Sequence, residues 1–171
     1  NSLEISEKIG SYDFKENLDL LPAEYKDPDY ELEQLALTGL AKRGFADNEE
    51  YLARLNEELE IIKSKNFSSY FIVVGNMINW SKDNNILVGP GRGSAAGSLL
   101  NFLLGITQFD PLPYGLLWGR FLGRWRVSYP DIDTDAANRD ILIDSARELY
   151  GDDAVIPVSN FNTLKLKSLI K

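Results

Sequence analysis

The sequence predicts an α+β fold, in which a small sheet packs with helices and is preceded by helical segments. Three observations lead to this prediction. Apolar residues recur at helical spacing over residues 29–66. Two short segments of strand character, 86–88 and 130–135, each lie next to turn-forming residues. Helical patterns over 94–105 and 139–150 follow these segments, so strands and helices share the second part of the chain.

The first helices are marked by their capping residues. Asp27 before Pro28 is typical of a helix start, because aspartate caps free N–H groups and proline is tolerated at the first position. This helix is expected to end near Gly44, and Asp47 is the predicted cap of the next one. The apolar residues of that second helix keep helical spacing: Leu52, Leu55, Leu59 and Ile62. Its acidic residues are expected to form a solvated face.

The later elements alternate between helical and extended patterns. A buried helix of about four turns is predicted over 68–82, because the apolar run is too long for an ordinary strand. A strand over 86–88 leads into a glycine-rich turn. Asn138 is the predicted cap of a helix that Gly151 ends, and a short strand over 154–158 follows it.

Composition limits the chemistry that the chain can carry. The 171 residues include no cysteine and no histidine, which excludes disulfides, cysteine zinc sites and histidine-based triads. Any metal must therefore bind oxygen ligands. No apolar run reaches the about 18 residues that a membrane helix needs, and no leader pattern opens the chain. A cytoplasmic protein without a membrane partner is expected.

The net charge of −8 is unevenly distributed. Residues 1–60 carry 16 acidic and 6 basic side chains, a balance of −10, whereas residues 61–171 carry 10 acidic and 12 basic side chains, a balance of +2. The part of the chain that contains the motifs is therefore mildly basic, and the acidic total does not exclude a nucleic-acid partner.

A glycine-rich stretch over residues 88–98 reads Val-Gly-Pro-Gly-Arg-Gly-Ser-Ala-Ala-Gly-Ser. Glycines let the backbone approach a ligand closely, and the start of the following helix offers N–H groups to an anion. The stretch is not a Walker A loop, because no Gly-Lys-Ser/Thr closes it, and its glycines lack the spacing of a dinucleotide fingerprint. A phosphate-binding loop and a purely structural turn both remain open.

Three aspartates alternate along the second predicted strand. Asp131, Asp133 and Asp135 are two residues apart, so in an extended segment their side chains point to the same face. A calcium loop of the EF-hand type is excluded, because its sixth and twelfth positions would fall at Ala136 and Leu142. A metal platform is favoured over a solvated strand end, because unpaired carboxylates in a buried place repel one another.

Basic residues occur at two further places. Arg120, Arg124 and Arg126 lie beside tryptophans and are candidates to grip phosphates or stack on bases. Surface arginines that cover apolar area are the equal alternative. Lys165 and Lys167 fall near one face of a predicted helix and are candidates for contact with a nucleic-acid backbone.

Together these residues resemble a specific family, the alpha subunit of bacterial DNA polymerase III, which represents the C-family of replicative polymerases. The similarity extends over nearly the whole chain, and its motifs keep their order. They are the glycine-rich stretch, Leu104-Gly105-Ile106-Thr107, Asp110-Pro111-Leu112, Arg120-Phe121-Leu122, Arg126-Val127-Ser128 and Pro130-Asp131-Ile132-Asp133-Thr134-Asp135.

The resemblance implies a polymerase-beta-like nucleotidyltransferase palm in a DNA-directed DNA polymerase, which adds deoxynucleotides to a primer 3′-hydroxyl. Asp131 and Asp133 would be the catalytic aspartates and would hold two Mg²⁺ ions, for which Mn²⁺ can substitute. The triphosphate of the incoming nucleotide would be bound by four residues of the glycine-rich stretch: Gly91, Arg92, Gly93 and Ser94.

The same resemblance implies a division of the chain and a set of partners. Residues 1–28 would be a connector, 29–66 the helical part of the palm, 67–158 the palm core with both motifs, and 159–171 the truncated start of the thumb. The partners would be primer–template DNA, deoxynucleoside triphosphates, further polymerase segments in the same or a companion chain, and replisome proteins. The location would be the nucleoid of a bacterial or phage-infected cell.

Three departures from the family pattern qualify this expectation. Gly119 stands where the family has Glu, and Ala136 stands where it has Phe. The third metal carboxylate of the family lies farther along than Lys171. The chain is therefore expected to be a segment of a divergent polymerase, for which a phage origin is left open. Alone it should not polymerise. The alternative is a catalytically incomplete structural or partner-binding module.

Overall fold

The computed structural model describes residues 25–126 and 129–156. Within them, the α-helices are α1 (Pro28–Lys42), α2 (Glu49–Ser64), α3 (Ser68–Asp83), α4 (Leu99–Leu103) and α5 (Arg139–Tyr150). Three short 3-10 helices cover Gly93–Gly97, Trp118–Arg120 and Asp152–Ala154. The predicted helices that start at Pro28 and that cover 68–82 and 139–150 are confirmed. No helix in the described ranges has the length and apolar character needed to cross a bilayer.

The predicted caps are confirmed for two helices and wrong for one. Asp27 accepts a hydrogen bond from the backbone N–H of Tyr30 at 3.0 Å, and Asn138 accepts one from that of Asp140 at 3.0 Å. Helix α2 is capped by Asn48 instead of Asp47, and the Asn48 side chain accepts from the backbone of Glu50 at 3.0 Å. Both residue types cap well, so composition alone did not separate the two neighbours.

The core forms where α1 and α2 pack against α4 and where α3 packs against α1. All five residues of α4 are buried. The fully buried side chains of the surrounding helices include Leu32, Leu40, Leu55, Ile62, Phe71 and Ile72. At Gly39 of α1 a Cβ would lie 2.4 Å from the carbonyl oxygen of Leu103, so only glycine allows this backbone-to-backbone contact. The short helix α4 is therefore the centre of the domain.

The predicted α+β palm with a small sheet is wrong for the described residues, which are helical and contain no strand. The two predicted strands meet only in an isolated antiparallel bridge between Val88 and Ala136. The bridge is flanked by two backbone hydrogen bonds, from Gly89 to Asp135 at 2.8 Å and from Ala137 to Leu87 at 2.9 Å.

The bridge does not grow into a sheet because the chain turns at its ends. Asn85 has a φ of 59° and Gly91 a φ of 109°, so the first segment leaves the extended conformation on both sides. In the second segment, Asn138 caps α5 two residues after the bridge. Too few extended residues remain for further ladder pairs.

Two further elements differ from the prediction. The helix expected over 94–105 is divided at Ser98, which is extended and whose hydroxyl accepts a hydrogen bond from the backbone of Asn101 at 3.2 Å. The strand expected over 154–158 begins in a 3-10 helix, and residues beyond 156 lie outside the described part. Most of the predicted connector and all of the predicted thumb start also lie outside it, so the domain division stays a prediction.

Candidate functional site

The outer half of the glycine-rich loop (residues 88–98) runs beside residues 107–108. A Cβ at Gly91 would lie 2.7 Å from the methyl carbon of Thr107. The carbonyl oxygen of Pro90 accepts a hydrogen bond from the backbone N–H of Gln108 at 2.8 Å. Glycine at 91 is therefore required twice, for its positive φ and for this close approach.

The inner end of the loop is held by Arg54 of α2. Its guanidinium donates to the carbonyl oxygen of Gly97 at 2.9 Å and to that of Leu116 at 3.4 Å. A Cβ at Gly97 would lie 3.0 Å from the carbonyl oxygen of Leu117. The loop thus ends between α2 and the 116–118 segment, where there is no space for a side chain.

Glu58, one turn along α2 from Arg54, holds the start of α4. Its carboxylate is buried and accepts hydrogen bonds from Arg54 Nε at 2.7 Å, Ser98 Oγ at 2.8 Å and the backbone N–H groups of Leu99 at 2.9 Å and Leu100 at 3.0 Å. Burial raises the pKa of Glu58, and these hydrogen bonds oppose the rise. Because all four partners are donors, the acceptor-only carboxylate is the form that satisfies the site.

The other end of α4 is held by basic and amide side chains of α1 and α3. Arg43 donates to the carbonyl oxygen of Phe102 at 2.7 Å and lies over its ring, 3.6 Å from the centroid. Asn79 donates to the carbonyl oxygen of Leu104 at 2.9 Å, and Lys82 donates to that of Gly105. An acid at the first turn and cations at the last both complement the helix dipole.

The aspartate segment lies beside the loop. A Cβ at Gly93 would lie 3.1 Å from a carboxylate oxygen of Asp133, and a Cβ at Gly89 would lie 3.2 Å from the Cβ of Asp135. Asp131, Asp133 and Asp135 are exposed, whereas the residues between them are partly buried. The three carboxylates are therefore open to solvent on the exposed face of an extended segment.

Arg92 links the loop to this segment. Its guanidinium lies 2.8 Å from a carboxylate oxygen of Asp135, and both side chains are more than half exposed, at 58% and 67%. The hydrogen bond and charge of Asp135, together with the charge of Asp133, raise the pKa of Arg92. Gly93 and Ser94, which follow Arg92, are also exposed. Three of the four loop residues predicted to bind a triphosphate are thus exposed beside the aspartates, whereas Gly91 is partly buried against Thr107.

The carboxylate oxygens of Asp131 and Asp133 are of the kind that Mg²⁺ prefers. In residues 25–126 and 129–156, no group of three or more acidic, histidine or cysteine side chains is placed to hold a metal ion. The metal-binding role of Asp131 and Asp133 therefore stays a prediction.

Two of the candidate DNA-binding arginines, Arg124 and Arg126, lie at the end of α2, whereas Arg120 is in the 3-10 helix that packs against the loop. Arg124 lies 3.5 Å from Glu60, and Arg126 donates to the carbonyl oxygen of Phe121 at 2.8 Å. Lys65 donates to the carbonyl oxygens of Arg124 at 3.1 Å and Arg126 at 2.6 Å. Arg120 is exposed in the second 3-10 helix. Lys165 and Lys167 lie outside the described residues.

Sequence reasoning missed Glu58, which was expected on a solvated acidic face. The signal was its spacing, because Glu58 lies three residues after Leu55 and four before Ile62, on the apolar stripe of α2. Arg54, four residues earlier, completes the pair. The contact between Arg92 and Asp135 was also missed, and no local pattern joins residues 43 positions apart.

Comparison with known proteins identifies the family. Residues 30–171 match the bacterial DNA polymerase III alpha NTPase domain. The chain is 44% identical to DNA polymerase III subunit alpha of Aquifex aeolicus, over 100% of this chain and 16% of that protein. It is 46% identical to the subunit of Ureaplasma parvum, over 82% of this chain and 15% of that protein. It is 50% identical to the subunit of Vibrio cholerae, over 71% of this chain and 11% of that protein. The chain thus spans 11–16% of the length of these relatives, and it belongs to the bacterial DNA polymerase III alpha family.

Proposed function

We propose that this chain supplies part of the nucleotidyl-transfer site of a DNA-directed DNA polymerase. The observation that carries the proposal is the contact between the loop and the aspartate segment, in which Gly93 and Asp133 lie side by side. Polymerisation requires the triphosphate of the incoming nucleotide to lie against the metal-binding carboxylates. A phosphate-binding loop next to paired aspartates meets this requirement in a chain of this family.

In this proposal residues 91–94 of the loop bind the triphosphate. Gly91 and Gly93 let the backbone approach the phosphates, Ser94 offers a hydroxyl donor, and Arg92 supplies a positive charge that offsets charge developed during transfer. Arg92 exchanges its partner Asp135 for phosphate oxygens. Because both side chains of the ion pair are exposed, separating them costs little free energy.

Asp131 and Asp133 are the proposed ligands of divalent metal ions. Their hard carboxylate oxygens suit Mg²⁺, and Mn²⁺ accepts the same ligands. The bound ions would lower the pKa of the primer 3′-hydroxyl and neutralise the leaving pyrophosphate. We expect a further carboxylate to come from other polymerase segments, so the chain alone should not polymerise.

The proposed partners follow from the same role. They are primer–template DNA, deoxynucleoside triphosphates, the remaining polymerase segments and replisome proteins at the nucleoid. Arg120, Arg124 and Arg126, with Lys165 and Lys167, are the proposed contacts to the DNA backbone. Lys65 positions two of the three arginines through their backbone carbonyls.

The direct test is Asp131→Asn and Asp133→Asn, made separately in the full-length polymerase subunit. Nucleotide incorporation should fall by orders of magnitude in each, about the loss seen when key transition-state stabilisation is removed. Far-ultraviolet circular dichroism should be unchanged, because both side chains are exposed. Asp47→Asn is the matched control, since Asp47 is exposed and caps no helix. Incorporation retained by either site variant contradicts the proposal.

The second candidate function is a structural or partner-binding module with no catalytic part. The observation in its favour is that no group of three metal ligands occurs among the described residues. This function predicts that the aspartate variants polymerise normally, while a surface substitution that detaches the module from its partner reduces polymerisation. The same aspartate experiment therefore separates the two functions.

A further inference from the structure

We propose that Arg54 and Glu58 are positioning residues for the glycine-rich loop and thereby set the affinity for the incoming nucleotide. The inference rests on the proposed function of that loop. Their hydrogen bonds to the loop and to α4 are made at residues 97–100, through backbone groups and the Ser98 hydroxyl, and not at the exposed residues 92–94.

The pair joins three separate segments of the chain. Arg54 contacts the carbonyl oxygens of Gly97 and Leu116, while Glu58 receives the Ser98 hydroxyl and the first two N–H groups of α4. Side chains of α2 therefore hold all three segments: the loop, the helix after it and the 116–118 segment. Asn101 adds a buried hydrogen bond from its amide to the carbonyl oxygen of Ala95 at 3.0 Å.

Stability alone does not account for this arrangement. Desolvation of a buried ion pair largely cancels its Coulomb attraction, and apolar residues of similar size stabilise a core equally well. What apolar residues do not provide is a fixed direction, because hydrogen bonds specify where each carbonyl and N–H group lies. The geometry of the pair fixes the inner end of the loop.

A shift at this end reaches the exposed residues directly. Gly97 is the last residue of the 3-10 helix Gly93–Gly97, and Arg92 precedes the first. Because the residues of this short helix are linked by i to i+3 hydrogen bonds, a displacement of Gly97 is passed along the backbone to Gly93 and Ser94. Small displacements of a binding group are costly for catalysis.

The variant Arg54→Lys tests the contact with the loop separately from the ion pair with Glu58. It keeps the positive charge next to Glu58 but lacks the planar fork that reaches Glu58 and Gly97 together. In the full-length polymerase subunit, Arg54→Lys should raise the KM for deoxynucleoside triphosphate by about 10- to 100-fold. The KM for primer–template should stay unchanged. Ser98→Ala, which removes only the hydroxyl between Glu58 and the start of α4, should raise the same KM by a smaller factor.

Two further variants make the result decisive. Leu32→Ala on α1 is the control for lost stability, because Leu32 is fully buried in the core. Arg92→Ala tests the proposed function of the loop itself. The inference holds if Arg92→Ala and Arg54→Lys raise the nucleotide KM while Leu32→Ala does not, all assayed below the melting temperature of each variant.

The remaining outcomes overturn it in distinguishable ways. If Arg92→Ala raises the nucleotide KM but Arg54→Lys and Ser98→Ala do not, the positioning role is wrong and the proposed loop function stands. If Leu32→Ala raises it as much as Arg54→Lys does, the pair has only a structural role. If Arg92→Ala has no effect, the proposed loop function fails and the inference fails with it.

Discussion

The two sides of the candidate site are built in opposite ways. The loop base, residues 97–100, is buried; its Gly97 carbonyl oxygen accepts a hydrogen bond from Arg54, and its Leu99 and Leu100 N–H groups donate to Glu58. The aspartate segment, residues 129–137, is largely exposed and is joined to the loop by one bridge and by the exposed pair of Arg92 with Asp135. Buried, satisfied polar groups give a fixed geometry, whereas exposed charges are free to reorganise around a ligand.

This difference indicates which part of the site is prepared before a ligand binds. Helix α4 has five residues and is too short to be stable alone, so its geometry depends on its neighbours. Side chains of α1, α2 and α3 hold both of its ends. Both ends of α4 are thus held within the described residues, whereas the carboxylates of the aspartate segment are open to solvent.

The largest effect should come from breaking the loop base. Glu58→Ala leaves buried donors without an acceptor and Arg54 without its ion pair, so the free energy of unfolding should fall by about 3–5 kcal/mol. Urea denaturation measures the change. Glu57→Ala, its exposed neighbour on α2, is the control and should cost much less. Equal losses in the two variants would show that the loop base is not held as described.

An intermediate effect should come from the turn between the two sides. Gly91→Ala places a Cβ 2.7 Å from Thr107 in a left-handed conformation, so the free energy of unfolding should fall by about 1–3 kcal/mol. Gly119→Ala is the matched control, because no atom lies within 4 Å of a Cβ there and its φ is not in the left-handed range. A thermal melt in which Gly91→Ala and Gly119→Ala coincide would contradict the close packing of the loop.

The smallest effect should appear only at high pH. Burial and the hydrogen bond to Asp110 raise the pKa of Tyr51 from 10.0 to about 12, and Asp110 belongs to the segment that follows residues 107–108. A raised folded-state pKa gives stability that is present below pH 10 and is lost as the pH rises through about 12.

Tyr51→Phe tests this pH dependence. The free energy of unfolding of the unmodified chain, minus that of the variant, should decrease between pH 10 and pH 12. The variant itself is the control for all other groups that titrate there. A difference independent of pH would show that folding does not raise the pKa of Tyr51.

Local patterns in the sequence were sufficient for the long helices, apart from the cap of α2, but not for the division of the 94–105 segment at Ser98 or for the pairing between distant segments. The sequence predicted the caps at Asp27 and Asn138 and the apolar run of α3, because each of these features depends on residues a few positions apart. The predicted sheet failed because extended character in two segments does not fix the length of their pairing, which Asn85 and Gly91 limit. The burial of Glu58 depends on Ser98, 40 residues away, and no local rule provides that partner.

The candidate site shows the same division. The motifs located the loop and the aspartates, and the resemblance to a family assigned their chemistry. The contact between Gly93 and Asp133 required three-dimensional coordinates, because residues 98–126 lie between the two motifs and form their own part of the core. The roles assigned to Asp131, Asp133 and the loop residues stay predictions until the variants are measured.

The most direct test of the difference between the two sides is native-state hydrogen exchange on the unliganded chain. The amides of Leu99 and Leu100, bound to Glu58, should exchange only through global unfolding. The amide of Asp133 in the exposed segment should exchange by local opening, about a thousandfold faster or more. Equal protection of the three amides from exchange would contradict a fixed loop base beside an exposed and more mobile aspartate segment.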